Sequence, residues 1–123
     1  MILGIGIDLV QVDKLRRGMR SQAFLRKTFS EAELADCLQT KNRAEHLAGK
    51  FAAKEAFMKA AGRGIRQGLW FSQIEVLHRD TGQPYVKVSG EAARTAGELK
   101  VACTHVSISH AGGMATAVVI LEG

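Results

Sequence analysis

The strongest constraint on the fold is the Ala-rich run at 43–61, RAEHLAGKFAAKEAFMKAA. Ala, Leu, Lys, Glu and Met favour the helix and no Pro interrupts it. Asn42, followed three residues later by Glu45, marks its start, and Gly62 and Gly64 end it. The spacing predicts one long central helix against which the other elements pack.

Ser30 with Glu33 forms a capping box and predicts a helix over about 31–40. Residues 13–27 carry Leu15, Met19 and Phe24 on one side, a weak helical pattern that is irregular at Gly18. Positions 2–10 read as a buried strand, an apolar run broken by Gly4 and Gly6 and ended by Asp8. Strands are expected at 72–78 and 85–89 around the turn Asp80-Thr81-Gly82-Gln83-Pro84, and a short amphipathic helix at 91–99. A hairpin of 104–110 and 115–121, turning at Ala111-Gly112-Gly113, closes the chain. The fold class is α+β: one domain spanning 1–123, with helices packed on an antiparallel sheet that the first strand joins.

Composition excludes several classes. Hydrophobic residues at 46% and charged residues at 24% are globular values. Two cysteines, Cys37 and Cys103, in no redox or metal-ligand spacing give no sign of an oxidising compartment. The start has no basic leader and the late apolar stretch 114–121 is far too short to span a bilayer, so a soluble cytoplasmic protein is expected. The net charge of +5 is concentrated early. Lys14, Arg16, Arg17, Arg20, Arg26 and Lys27 follow one another without an intervening acid, a patch suited to phosphates, nucleic acid or an acidic protein. A nucleic-acid-binding module is disfavoured, because the aromatic residues supply no platform alternating with these charges. A non-catalytic module docking an acidic partner would leave the following residues without a role.

Asp8 ends a rigid buried strand, where a turn acid and a metal ligand are both expected. Glu55 and Lys59 share one helix face a turn apart, a spacing that also fits a surface ion pair. Phe51 and Met58 add apolar neighbours to that face. Lys50, Lys54 and Lys59 surround the single acid, which suits a polyanionic ligand. Ser107-Ile108-Ser109-His110 lacks the Gly-x-Ser-x-Gly elbow of a hydrolase, and Gly4-x-Gly6 lacks the third glycine of a dinucleotide fingerprint. His46, His78 and His105 have no metal-ligand spacing, and His78 and His105 are read as structural.

Gly6-Ile7-Asp8, the run Phe51-Ala52-Ala53-Lys54-Glu55-Ala56 with Lys59-Ala60, Gly82-Gln83-Pro84 and Ser107-Ile108-Ser109-His110 occur in this order. Together they resemble the holo-acyl-carrier-protein synthases, the short 4′-phosphopantetheinyl transferases. The resemblance implies that fold and a reaction in which the phosphopantetheine arm of coenzyme A moves to a serine of apo acyl carrier protein, releasing 3′,5′-ADP. It implies Mg²⁺ held by Asp8 and Glu55 and a pyrophosphate contact at Lys59; the serine of such a reaction needs a base, and Glu55, directly or through a water, is the nearest candidate. Coenzyme A contacts are implied at Lys50, Lys59, Gly62, Pro84 and His110, and carrier docking at Lys14, Arg17 and Arg20. A homotrimer with the site between subunits is implied as well, with neither nucleic acid nor membrane as a partner. Lys14 and Lys50 stand where the family commonly has Arg; lysine keeps the charge but not the planar two-point fork.

Overall fold

The computed structural model describes residues 1–38 and 40–123. The chain runs β1 (Ile2–Gln11), α1 (Val12–Gly18), α2 (Gln22–Thr28), α3 (Glu31–Leu38), α4 (Arg43–Ala61), β2 (Ile74–His78), β3 (Pro84–Val88), α5 (Gly90–Glu98), β4 (Cys103–Ala111) and β5 (Met114–Glu122). Single 3₁₀ turns at Ile65–Gln67 and Phe71–Gln73 follow α4.

The long helix has the predicted bounds. Gly62 adopts the left-handed conformation (φ 68°), and the backbone N–H groups of Gly62 and Arg63 close the last turn on Lys59 and Met58. The Ser30–Glu33 capping box is present in both directions, Ser30 N to Glu33 Oε1 at 3.0 Å and Glu33 N to Ser30 Oγ at 3.2 Å. The expected end of this helix near 40 passes through Gln39, which lies outside the described residues.

Three expectations change. The basic segment is two helices instead of one, separated at 19–21, because Ser21 caps a new start by accepting from Phe24 N at 3.1 Å. The strand at 72–78 begins only at Ile74, since Phe71–Gln73 winds into a turn in which the Gln73 side chain accepts from Trp70 N. The strands also form two sheets: β1–β5–β4 is one antiparallel sheet, and β2–β3 pairs apart from it.

α4 crosses one face of the β1–β5–β4 sheet. Ala115, Ala117, Val119 and Leu121 of β5 alternate inward with period two, and Ala48, Ala52, Ala53 and Ala56 of α4 are fully buried opposite them. The approach is closest at β1. A Cβ on Gly6 would stand 1.9 Å from the Ala56 carbonyl oxygen, and one on Gly4 would stand 2.0 Å from that of Ala60. Both clashes are with helix backbone, which cannot rotate away. The two glycines therefore serve this contact, which lays the first half of β1 along the last turns of α4.

The other face of the sheet is open, so the strand expected to be buried is covered on one side only, because α4 packs on a single face. Ile5, Ile7 and Leu9 of β1 are 60%, 64% and 63% exposed, a run of large apolar side chains on one side of a strand. Among the described residues no helix is long and apolar enough to cross a membrane.

Gly6→Ala is expected to cost at least about 3 kcal/mol, the upper range for overpacking, read as a fall in the urea midpoint. Gly64→Ala, where an added Cβ meets nothing within 4 Å, should leave the midpoint unchanged. Equal effects at the two positions would show that the β1–α4 approach is not the constraint.

Candidate active site

β1 does not end at Asp8 but runs on to Gln11, because its pairing with β5 continues to Met114, and the inward-facing Asp8 side chain meets Lys59 near the end of α4. Lys59 Nζ donates to Asp8 Oδ1 at 3.1 Å and to the Ile7 carbonyl at 3.0 Å. Thr116 on β5 fixes the backbone from the other side, its hydroxyl donating to the Asp8 carbonyl at 2.8 Å. The Lys59 side chain stays half-exposed while that of Asp8 is mostly covered. A solvated pair of this kind adds little stability. Its geometry leaves the ammonium free to turn towards a bound anion.

Glu55, one turn before Lys59, is half-buried. Burial raises its carboxyl above the ordinary value of 4.5, and the nearby Asp8 carboxylate raises it further, against the opposing pull of Lys14 and Lys59. Two carboxylates are thus held where their charges oppose each other, one of them partly desolvated. That donor set fits Mg²⁺, which takes one or two carboxylates and fills its other positions with water or phosphate oxygens. Beside the pair opens a cleft lined by Glu55, Lys59, Gly62, Arg63, Arg66 and Phe71. Glu55, Lys59 and Gly62 are together as expected, and the basic Arg63 and Arg66 join them.

The ring of three lysines does not form. Lys50 and Lys54 point into the interior and have no exposure. Lys54 Nζ donates to Glu33 Oε1 and the Phe71 carbonyl, both at 2.7 Å, and to the Ile74 carbonyl at 2.5 Å. Glu33 is equally buried; its Oε1 also serves the capping box and its Oε2 accepts from Val76 N at 2.9 Å. Lys50 Nζ donates to Asp36 Oδ2 at 2.9 Å and to the Val76 carbonyl at 2.5 Å. Buried charges at α4 positions 50 and 54 are tolerable because each ammonium is paired and hydrogen-bonded. Lys50 is thereby removed from the surface on which a coenzyme contact was expected.

Pro84 and His110 line a second cleft with Lys41, Asn42, His46 and His78. His110 is held there by the Glu45 carbonyl, 2.9 Å from Nε2, and packs against Gly49, where a Cβ would come within 2.9 Å of its ring. Lys41 is exposed and is the cation that this cleft offers in place of Lys50. The sequence reading missed it, since a lone Lys beside a helix start carries no pattern. The two clefts sit at opposite ends of α4; Glu45 and Lys59 are 14 positions apart, about 21 Å along a helix axis.

Of the residues expected to meet a carrier, Lys14 and Arg17 lie on α1 and Arg20 lies in the turn after it, so the three do not share one helix face. Arg17 and Arg20 are exposed, and the Lys14 ammonium stands 5.0 Å from the centroid of the Phe51 ring.

A family model described as the 4′-phosphopantetheinyl transferase superfamily matches residues 4–118. The chain is 45% identical to the holo-[acyl-carrier-protein] synthase of Trichlorobacter lovleyi, across 99% of this chain and 98% of that one. Its fold matches the crystal structure of the holo-[acyl-carrier-protein] synthase from Neisseria meningitidis with a TM-score of 0.90, 32% identity and full coverage of both chains. It matches the Helicobacter pylori synthase, solved in complex with coenzyme A, with a TM-score of 0.83 and 30% identity across 96% and 99% of the two chains. The chain belongs to the 4′-phosphopantetheinyl transferase superfamily.

The raised pKa of Glu55 has a consequence for stability. A carboxyl raised above 4.5 in the folded state costs stability once it ionises, and the cost vanishes as the pH falls below 4.5. Glu55→Gln is therefore expected to raise the Tm of the metal-free protein at pH 7 and to give no gain near pH 4. Mg²⁺ should raise the Tm of the unmodified protein at pH 7 and leave that of the variant unchanged. A variant that melts lower at pH 7, or gains as much from Mg²⁺, would contradict the paired-carboxylate site.

Proposed function

We propose that this superfamily member transfers the 4′-phosphopantetheine group of coenzyme A to a serine hydroxyl of an apo acyl carrier protein. The observation that carries the reading is the meeting of Asp8, Glu55 and Lys59 beside a basic cleft, in a chain whose relatives are holo-acyl-carrier-protein synthases. In the transfer, the serine oxygen bonds to the pantetheine-side phosphorus of coenzyme A. The bond from that phosphorus to the bridging oxygen breaks, and 3′,5′-ADP leaves.

Asp8 and Glu55 would hold Mg²⁺, which supplies positive charge against the pyrophosphate. Glu55, the carboxylate nearest the reacting phosphate, accepts the serine proton, directly or through a water. Lys59 turns from Asp8 towards the departing phosphate and stabilises the charge that grows there. Arg63 and Arg66 bind the phosphates on the same side. The exposed Arg17 and Arg20, with Lys14 nearby, meet the acidic surface of the carrier and guide its approach.

In this reading the nucleotide end of coenzyme A binds in the cleft that Lys41, Pro84 and His110 line. The bridging phosphates and the nucleotide end of coenzyme A are only a few bonds apart, whereas the two clefts of one chain open at opposite ends of α4, where Glu45 and Lys59 are about 21 Å apart along the helix axis. A second copy of the chain is therefore needed to present its Pro84–His110 cleft beside the first copy's Glu55 and Lys59. The exposed Ile5, Ile7 and Leu9 give the copies an apolar surface on which to meet, consistent with a homotrimer.

Mass spectrometry of an apo acyl carrier protein incubated with coenzyme A, Mg²⁺ and this protein tests the reading. The expected result is a mass gain of one phosphopantetheine group, lost when either coenzyme A or Mg²⁺ is left out. An unchanged carrier mass with the folded protein present would refute the transferase reading. A gain that survives removal of Mg²⁺ would refute the metal site alone.

A further inference from the structure

Asp36 on α3, His46 on α4 and His78 on β2 are brought together by three separate elements. His78 Nδ1 lies 3.3 Å and His46 Nε2 3.9 Å from the same carboxylate oxygen, Asp36 Oδ2. One ligand atom from each residue falls within 4.8 Å of the other two. The rings pack edge to face, with centroids 5.1 Å apart and planes at 74°, so neither is free to swing. The two histidine side chains are about a quarter exposed and that of Asp36 about a third, and the rings have no other side-chain hydrogen-bond partner among the described residues. Lys50, fully buried, donates to that same oxygen, Asp36 Oδ2, at 2.9 Å, which leaves Oδ1 free of any side-chain bond among the described residues.

We propose that Asp36, His46 and His78 form a binding site for a borderline divalent transition ion such as Zn²⁺, distinct from the Asp8–Glu55 pair. Two imidazoles and one carboxylate select Zn²⁺, Co²⁺ or Ni²⁺ over the hard Mg²⁺. Three protein ligands converge from one side, and the remaining positions open towards solvent. His46 and His78 line the cleft that also holds Pro84, while Asp36 and His78 line a separate depression beside Tyr85, so an ion has two ways in. Lys50 plays the orienting part that an outer hydrogen-bond partner plays at metal sites, fixing the carboxylate rotamer. Its ammonium also repels the ion, which sets the affinity below that of a site without a neighbouring cation. The second cluster of potential ligands, Cys103, His105 and Glu122, lies on β4 and β5 and is the internal comparison.

Calorimetric titration of the metal-free chain with Zn²⁺ in excess Mg²⁺ tests the proposal. One ion per chain is expected, with affinity reduced at least about tenfold in His46→Phe and again in His78→Gln, the lower range for disturbing a metal's supporting shell. Cys103→Ser should bind as the unmodified chain does. Asp36→Asn is a poor probe, because it strips the buried Lys50 of its charge partner. If a histidine variant fails to fold, NMR of the unmodified chain decides: Zn²⁺ should shift the ring resonances of His46 and His78 and leave His105 in place. Absence of stoichiometric binding, full affinity in the double histidine variant, or loss of binding in Cys103→Ser would each overturn the site.

Discussion

Everything at the proposed reaction centre depends on how closely β1 can approach α4. A helix normally stands off a sheet by the thickness of two layers of side chains. Here Gly4 and Gly6 on the strand meet the backbone of Ala56 and Ala60, and the layer is missing. The consequence reaches two residues further along the strand. Asp8 shares the inward parity of the glycines, so the contact that admits no Cβ at Gly6 delivers a carboxylate to Glu55 and Lys59. Thr116 holds the carbonyl of Asp8 from the neighbouring strand, which makes the carboxylate's position a property of the sheet.

A second set of charges on α4 does structural work and is hidden. Glu33 satisfies its own helix N-terminus, the Lys54 ammonium and a β2 backbone N–H at once. Lys50 joins Asp36 to the same strand. These bonds tie α3, α4 and the β2–β3 hairpin into one unit. Burial lowers the Lys54 pKa in spite of Glu33, so the pair contributes less than its Coulombic attraction implies. At Asp36 burial works the other way, raising the pKa, but the bond and charge of Lys50, with His78, outweigh it and hold the carboxyl below its ordinary value. α4 thus carries reactive and structural charges within one sequence run, separated by the face they occupy.

Local signals were legible in the sequence and distant ones were not. The bounds of α4 and the Ser30–Glu33 box are written within four residues of each helix end, and both were readable. The final hairpin followed from its two glycines and alternating strand. The motif run of α4 supplied Glu55 and Lys59, and the order of motifs supplied the family. The break after Gly18 goes with the Ser21 cap and with the Phe24 ring packed where a Cβ at position 18 would go, and no spacing marks that packing. Strand periodicity tells which face is buried but not which strand is the neighbour, so two sheets were read as one. Lys50 and Lys54 looked like ligand cations because their partners lie 14 and 21 positions upstream. The Asp36–His46–His78 cluster spans 42 positions, and no spacing rule connects them.

The proposed transfer places the reacting phosphates at one end of α4 and the nucleotide end at the cleft beyond the other, with a second copy closing the gap. Subunit mixing tests that division directly. Glu55→Gln damages only the first cleft, and Lys41→Glu with His110→Ala damages only the second. Each variant alone should be inactive in carrier modification. Co-expressed in equal amounts, they should recover about a quarter of full turnover, the random-assortment fraction for a ring in which each site takes one half from each neighbour. Mixed assemblies that form but remain inactive would show that a single chain carries the whole site, and would contradict the shared-site account.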